Sequence, residues 1–432
     1  MQMFATSAKI LKGMLLMKST ESVGNYKSEV RLYTNYAIKH IKTMCKNFGP
    51  RPVGSEAELK AQEYLAKELE TTCDTVLKEE YKCSDKAFMS WVPLGAVLLI
   101  LSAALFTFGI PVASVAIGCF TLFIILAEFI FYKPVLDVFF PKKTSMNVTG
   151  TRKASGETKR RIIFSGHVDS AFEWTYTYHG GRPAVVGIIV TAVIAVLLSV
   201  GGGIYGIVSG EGIGIIWMGS NLAIKIISVA MYVTVPVLGA AIFFCNYKNP
   251  VTGANDDLSG CMLSAAVIKF MDANNIRFEN TEVVALMAGG EEAGLRGSKA
   301  WAKAHADEIR NDGVETVFIS LDTIREIDFM AIYDKDMTGM VKNDKRVAKL
   351  LQTAAKNVGH DVPIKAIELG STDAAAMSQA GIPASAFTAM DPSPARYYHT
   401  RLDTEDNLDP KTLETGLKIA LEAAFVFDEQ GI

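Results

Sequence analysis

Four stretches of the chain are apolar for the length of a bilayer crossing, and between them apolar and polar positions alternate on a much shorter scale. From Trp91 to Tyr132 one charge, Glu128, interrupts the apolar run, and Gly109-Ile110-Pro111 punctuates its middle. A crossing helix needs roughly 20 apolar residues, so this run predicts two helices joined by a tight turn. The pattern recurs from Pro183 to Cys245 with a longer connection: apolar to about Val208, glycine-rich through Asn221, then apolar from Leu222. Four spans in two hairpins are expected. Buried core helices of a soluble protein are the competing reading, and they seldom reach spanning length. Glu128 lies one turn from Tyr132 and Lys133, from where its carboxylate is expected to snorkel to the interface rather than serve inside the bilayer. Gly202 and Gly206 have the G-x-x-x-G spacing, which fits either a helix-packing face or a kink.

Outside the hairpins, Arg161 to Gly166, Val283 to Ala288, Val317 to Leu321 and Ala384 to Thr388 are short apolar runs that end abruptly in polar residues. Helical patterns separate them at Leu258 to Ala273, Ser298 to Arg310 and Arg346 to Val358. Buried strands alternating with helices predict an α/β fold, a three-layer sandwich around a mostly parallel, mixed sheet. The expected division assigns 27–90, 133–182 and 246–432 to that domain, with transmembrane hairpins inserted at 91–132 and 183–245.

Charge sets the orientation. Lys82, Lys86, Lys133, Lys142, Lys143, Arg182 and Lys248 flank the hairpins on the side of the α/β domain, whereas the tips offer only Lys225. The positive-inside rule therefore places the α/β domain in the cytosol and the hairpin tip near Gly212 on the outer face. With 43 basic and 46 acidic residues, the net charge of -3 gives no reason to expect nucleic acid as a partner. The expected partners are a peptide or amide substrate and the lipid bilayer. The six cysteines show no C-x-x-C spacing, which disfavours a disulfide framework or a cysteine zinc site. The apolar patch from Ile10 to Met17 is broken by Lys12 and lacks a following small-residue cleavage signal, so no signal peptide is expected there.

In α/β sheets, ligands bind beyond the carboxyl ends of strands, which is where the polar run-ends fall. The first reads Ser165-Gly166-His167-Val168-Asp169; residues two apart in an extended segment face the same way, so Asp169 can fix the His167 ring. Gly253-Ala254-Asn255-Asp256-Asp257-Leu258-Ser259-Gly260 places two acids before a helix, where Asp257 can serve as the N-cap. Gly289-Gly290-Glu291-Glu292-Ala293-Gly294 follows a strand with adjacent carboxylates, which repel unless a cation or a raised pKa resolves the conflict. The fourth run ends in Asp322, and Tyr397-Tyr398-His399-Thr400 is followed by Asp403 and Asp406. Histidines and carboxylates suit zinc without any thiolate.

In this order the motifs resemble the zinc-dependent exopeptidase family that includes secreted bacterial leucine aminopeptidases, plasma glutamate carboxypeptidase and glutaminyl cyclase. The resemblance extends to the lead-in Gly49-Pro50-Arg51-Pro52-Val53-Gly54-Ser55 and covers the soluble part almost throughout. It implies two zinc ions, or other divalent metals, one on His167 and Asp322 and the other on Glu292 and His399, bridged by Asp256. It further implies Glu291 as general base, Asp169 as the residue orienting His167, and Tyr398 as a candidate for stabilising the oxyanion. Such cations acidify a water and polarise the scissile carbonyl, and Glu291 takes the proton on toward the leaving amine. Two departures stand out. The family often carries Ser-Asp-His where Ser371-Thr372-Asp373-Ala374 stands here, which puts the substrate pocket in question, and typical soluble members lack the hairpins.

His40, His305 and His360 have no acidic partner at ligand spacing and are expected to pack or face solvent, while His179 is kept as a pocket candidate. The leading functional expectation is a membrane-embedded dinuclear zinc aminopeptidase. Three alternatives stand beside it: an amidase for N-acyl amino acids or lipid amides, a non-catalytic receptor or scaffold, and glutaminyl cyclase chemistry. The retained base and ligands argue against the scaffold. Cyclase chemistry would use one metal and a secretory compartment, which the cytosolic orientation disfavours.

Overall fold

The computed structural model of the chain describes residues 22–26, 29–210, 221–393 and 395–432. The N-terminal apolar patch and the hairpin tip near Gly212 lie outside the described residues.

Strands β1 (Thr75–Cys83), β2 (Lys143–Arg152), β3 (Arg160–His167), β4 (Phe172–Trp174), β5 (Cys245–Pro250), β6 (Thr281–Ala288), β7 (Glu315–Ile324), β8 (Met330–Asp336), β9 (Val341–Lys342), β10 (Ile364–Ala366) and β11 (Ala384–Ala389) form two sheets. The large one runs β1-β2-β6-β3-β7-β11-β8-β10, with β9 on β8. Its centre, β6-β3-β7-β11, is parallel, and β1, β2 and β8 join antiparallel. The parallel centre is buried on both faces, as its unbroken apolar runs require.

Among the described residues, the α-helices that pack on the large sheet are α1 (Val30–Phe48), α2 (Glu56–Glu70), α3 (Leu258–Ala273), α4 (Arg296–Asn311), α5 (Lys345–Asn357), α6 (Asp373–Gln379) and α7 (Pro410–Gln430). One face of the sheet carries α1, α2, α3, α5 and α7, joined in the main core through Ile41, Leu65, Phe270, Leu351 and Phe425. The other carries α4 and α6, whose Trp301, Ala302, Ala374 and Met377 pack on Ile163, Leu286 and Phe318. This is the expected three-layer sandwich. Two glycines let α3 sit tight under the site: a Cβ on Gly166 would strike the Cys261 nitrogen, and one on Gly260 would strike the Leu321 carbonyl.

Among the described residues, four helices are long and apolar enough to cross a membrane: span 1 (Phe88–Thr107), span 2 (Pro111–Ile130), span 3 (Thr175–Val208) and span 4 (Leu222–Ala241). Span 3 is longer than its apolar run because a short turn of helix precedes a break at Gly181, where φ is 58°, and Pro183 opens the apolar part beyond it. The glycine pattern proves to be a packing face. Cβ atoms on Gly202, Gly203 and Gly206 would collide with Ile227, Val115 and Pro111 respectively. A π-turn at Leu198–Gly202 also accompanies it.

Glu128 departs from expectation, because its carboxylate does not snorkel to solvent. It is fully buried, accepts the Leu136 N–H, and lies 3.8 Å from the Arg296 guanidinium at the start of α4. A charged partner inside the protein holds the carboxylate there, which the hydropathy pattern alone does not reveal.

Candidate metal centre

Four parallel strands end at one edge of the sheet, and the loops beyond them converge there. His167 closes β3, Glu291 and Glu292 follow β6, Asp322 lies near the end of β7, and Asp256 precedes α3. His399 comes from the loop after β11 and stands at φ 51°. The atoms gather into three compact groups: His167, Asp256 and Asp322; Asp256, Glu292 and His399; and His167, Glu291 and Glu292, with ligand atoms in each group within 4.8 Å of one another. Asp256 joins the first two. Its Oδ1 lies 3.2 Å from His167 Nε2, and its Oδ2 lies 3.0 Å from His399 Nε2.

Other side chains hold these loops in register. The Asp257 carboxylate accepts the backbone N–H groups of His167, Gly260 and Thr323, so the expected N-cap also ties three ligand loops together. Asp169 does more than orient His167. Its backbone oxygen lies 3.2 Å from His167 Nδ1, and its two carboxylate oxygens accept the N–H groups of Glu291 and Glu292 at 3.1 and 3.0 Å. Asp403 accepts from the Asn255 and Asp256 N–H groups. Arg51 is fully buried and donates to the carbonyls of Gly49, Val168, Thr252 and Gly253. It therefore bridges the first two ligand motifs, which the second hairpin separates in sequence. Beside it, β4 and β5 pair antiparallel at the hairpin's root, so the chain leaves and returns through one small sheet. Neither the Arg51 nor the Asp403 role was read from the sequence; the lead-in motif around Arg51 and the Asp403 near His399 were the available signals.

The remaining candidates divide. Tyr398 lines the cavity and stacks on His399 at 3.9 Å between ring centroids. His179 is exposed and is not among the residues lining the cavity, so it is no pocket residue; it packs against Tyr178 instead. His305 does have an acidic partner, Glu79 at 2.8 Å, supplied from the distant β1, which sequence spacing could not show. His40 likewise has one, Glu68 at 4.0 Å, and also pairs with Tyr64 at 2.7 Å.

The cluster is strongly acidic and buried. Burial and the adjacent Asp256 push the Asp322 carboxyl up to about 7. Burial foremost, reinforced by Glu292 and opposed by His167, holds Glu291 well above the usual carboxylate range. Burial would depress His399, but Glu292 and Asp256 outweigh it and push the imidazole up to about 10. Asp256 Oδ2 and Glu292 Oε1 are buried with no hydrogen-bond partner, although His399 is near both. Converging orphan lone pairs on histidine and carboxylate are a donor set that divalent zinc fits.

Residues 233–424 match the model of Peptidase family M28. No curated protein matches the sequence. Among solved structures the fold is shared with a glutaminyl cyclase from Fimbriiglobus ruber at TM-score 0.54 and 14% identity, covering 91% of this chain and 95% of that one. It is also shared with a Zn-dependent exopeptidase from Parabacteroides distasonis at TM-score 0.53 and 14% identity, covering 91% and 97%. A zinc aminopeptidase from Bacillus subtilis has TM-score 0.54 and 13% identity over 91% and 94%. At these identities the likeness to solved structures is one of fold. The family expected from the motifs is the one whose model matches.

Proposed function

We propose that this chain, with its M28 segment and zinc-exopeptidase fold, is a membrane-embedded dinuclear zinc aminopeptidase with its catalytic domain in the cytosol. The observation that carries the reading is Asp256, whose two oxygens face two separate ligand groups. His167 and Asp322 would hold one ion and Glu292 and His399 the other, with Asp256 shared. Zinc bound there supplies Lewis acidity for a nucleophilic water and for the scissile carbonyl.

The chain's own residues do the rest. The Glu291 backbone is held at the cluster by Asp169, from where its carboxylate can accept a proton from the attacking water and return it to the leaving amine. Tyr398 sits against His399 on the cavity wall, where its hydroxyl can donate to a developing oxyanion.

Charge supports the amino-terminal choice. Asp85, Asp256, Glu291, Glu292, Asp322 and Glu368 line the cavity, and among the described residues no lysine or arginine does. With Asp256, Glu292 and Asp322 assigned to metal and Asp85 paired with Lys143 at 2.7 Å, a substrate ammonium is left Glu291 and Glu368, whereas the α-carboxylate of an N-acyl amino acid finds no lysine or arginine in the lining. Glutaminyl cyclase chemistry is the second reading, because fold neighbours include such enzymes. Purified protein and Glu291→Gln are to be assayed on matched free-amine, N-blocked and glutamine-first peptides. The aminopeptidase reading expects release of the first residue from free-amine peptides only. Cleavage confined to blocked peptides sinks it, ammonia release from the glutamine-first peptide without peptide cleavage favours the cyclase, and activity surviving the substitution sinks the role of Glu291.

A further inference from the structure

We infer that the groove between the domain-facing end of span 2 and helices α4 and α6 binds an anionic phospholipid, its phosphate held among Lys133, Lys299 and Lys303. The inference goes beyond the peptidase reading and rests only on its membrane placement. Residues 131–134 form one side of the groove, α4 gives Lys299, Lys303 and Arg310 to the other, and the short side chains of Ala302, Ala306 and Ala376 keep it open. It holds about 440 Å³, within the range of small-ligand sites. The charge is one-sided. Among the described residues, four cations and one acid line the groove; that acid is Asp307, and it pairs with Arg310. Lys133 and Lys303 are exposed and have no carboxylate partner among the described residues. Lys299 donates to the Tyr132 and Gly294 carbonyls at 2.6 and 3.3 Å, which leaves one of its three protons for an anion. Burial foremost, then the like charges of Arg296 and Lys133, pull the Lys299 ammonium down to about 7, and an anion in the groove offsets the second effect.

The position of the groove selects a lipid over a soluble anion. Its lip, Phe131, directly follows the last residue of span 2 and is 42% exposed, and Phe123 and Leu126 continue that open apolar surface along the span. With span 2 in the bilayer, the lip lies at headgroup depth, on the cytosolic side where the leaflet carries anionic lipids and basic pockets capture their headgroups. A phospholipid can set its phosphate among the lysines and its chains along Phe131 and Phe123, whereas inorganic phosphate has nothing to place on that apolar surface. Tyr132 lines both this groove and the metal cavity, so the lipid sits directly behind the cavity wall.

The test uses the full chain in phosphatidylcholine vesicles that contain a trace of phosphatidylglycerol with a photoreactive diazirine on one acyl chain. A phosphatidylcholine probe bearing the same group is the reference, and adducts are mapped by peptide mass spectrometry. A lysine near an anionic lipid contributes roughly fivefold to its binding, and three face this groove. The inference therefore expects the phosphatidylglycerol probe to label residues 131–134 or α4 roughly tenfold or more above the reference. Unlabelled phosphatidylglycerol should compete and inorganic phosphate should not. The double variant Lys133→Gln with Lys303→Gln should lose roughly tenfold or more of this labelling, while Lys133→Arg with Lys303→Arg keeps it. Equal labelling by the two probes, displacement by inorganic phosphate, or undiminished labelling of the glutamine double variant overturns the inference. If that variant misfolds, the wild-type ratio of the two probes still decides. A chain that does not enter vesicles at all is a separate result that removes the membrane placement itself, and the peptide assay tests the chemistry independently of both.

Discussion

Two buried polar clusters, one in the helix bundle and one at the sheet edge, solve the problem of burying polar atoms in opposite ways. In the bundle, Ser102 bonds Ser114 at 2.7 Å and Ser199 at 2.9 Å, and Thr107 meets Ser228 at 2.8 Å, so hydroxyls that both donate and accept satisfy one another across helices. At the sheet edge the groups are mainly acceptors: four carboxylates and two imidazoles crowd together, and Asp256 Oδ2 and Glu292 Oε1 stay without hydrogen-bond partners. A self-satisfied cluster is glue between spans. An acceptor-rich cluster that cannot satisfy itself calls for cations, and that contrast is what separates a structural polar site from a chemical one.

The largest expected effect falls on chemistry alone. Glu291→Gln should lower kcat/KM by about 100- to 10,000-fold while zinc content stays at the wild-type level, as read by peptide hydrolysis and elemental analysis. Loss of zinc together with activity would instead make Glu291 a ligand.

Arg296 sharpens the contrast from the other side, because it is a buried charge whose partners are present: Asp137 at 2.9 Å and Glu128 at 3.8 Å. Arg296→Met leaves Glu128 without its cation, while Asp137 keeps Lys142 at 3.0 Å, and should cost about 3 kcal/mol in denaturant unfolding. A change near zero would mean the carboxylates find other compensation.

A smaller effect depends on pH. Burial, then Arg296 and Lys133, pulls the Lys299 ammonium down to about 7, against roughly 10.4 in an unfolded chain. Between those values the unfolded chain holds the proton and the folded chain does not, so this residue makes stability rise with pH over that window. Thermal unfolding of Lys299→Met from pH 7 upward should show a flatter rise than the wild type; parallel curves would contradict the assignment. The smallest effect belongs to the bundle: Ser102→Ala should cost about 0.6 kcal/mol, since the remaining hydroxyls re-pair. A loss several times larger would show that this cluster is not simple glue.

Much of the frame was legible because it is local. The strands at Arg160–His167 and Thr281–Ala288 and the helix at Leu258–Ala273 follow from runs and periods a few residues long, and the candidate ligands sit where such strands end. What escaped is long-range. Arg51 reaches carbonyls more than a hundred residues away, the fold brings Glu79 to His305, and Glu128 finds Arg296 only when span 2 docks on α4. No periodicity encodes those pairings. The break at Gly181 shows a milder form of the same limit, since the apolar run marked where the apolar helix begins but not the helical turn ahead of it.

The central claim is that Asp256 serves two metal sites at once, and zinc binding to purified chains tests it most directly. The account predicts two zinc ions per wild-type chain, loss of one in His399→Ala, and marked weakening of both in Asp256→Asn. A wild-type chain that saturates at one ion, or an Asp256→Asn chain that keeps one ion at wild-type affinity, would contradict it.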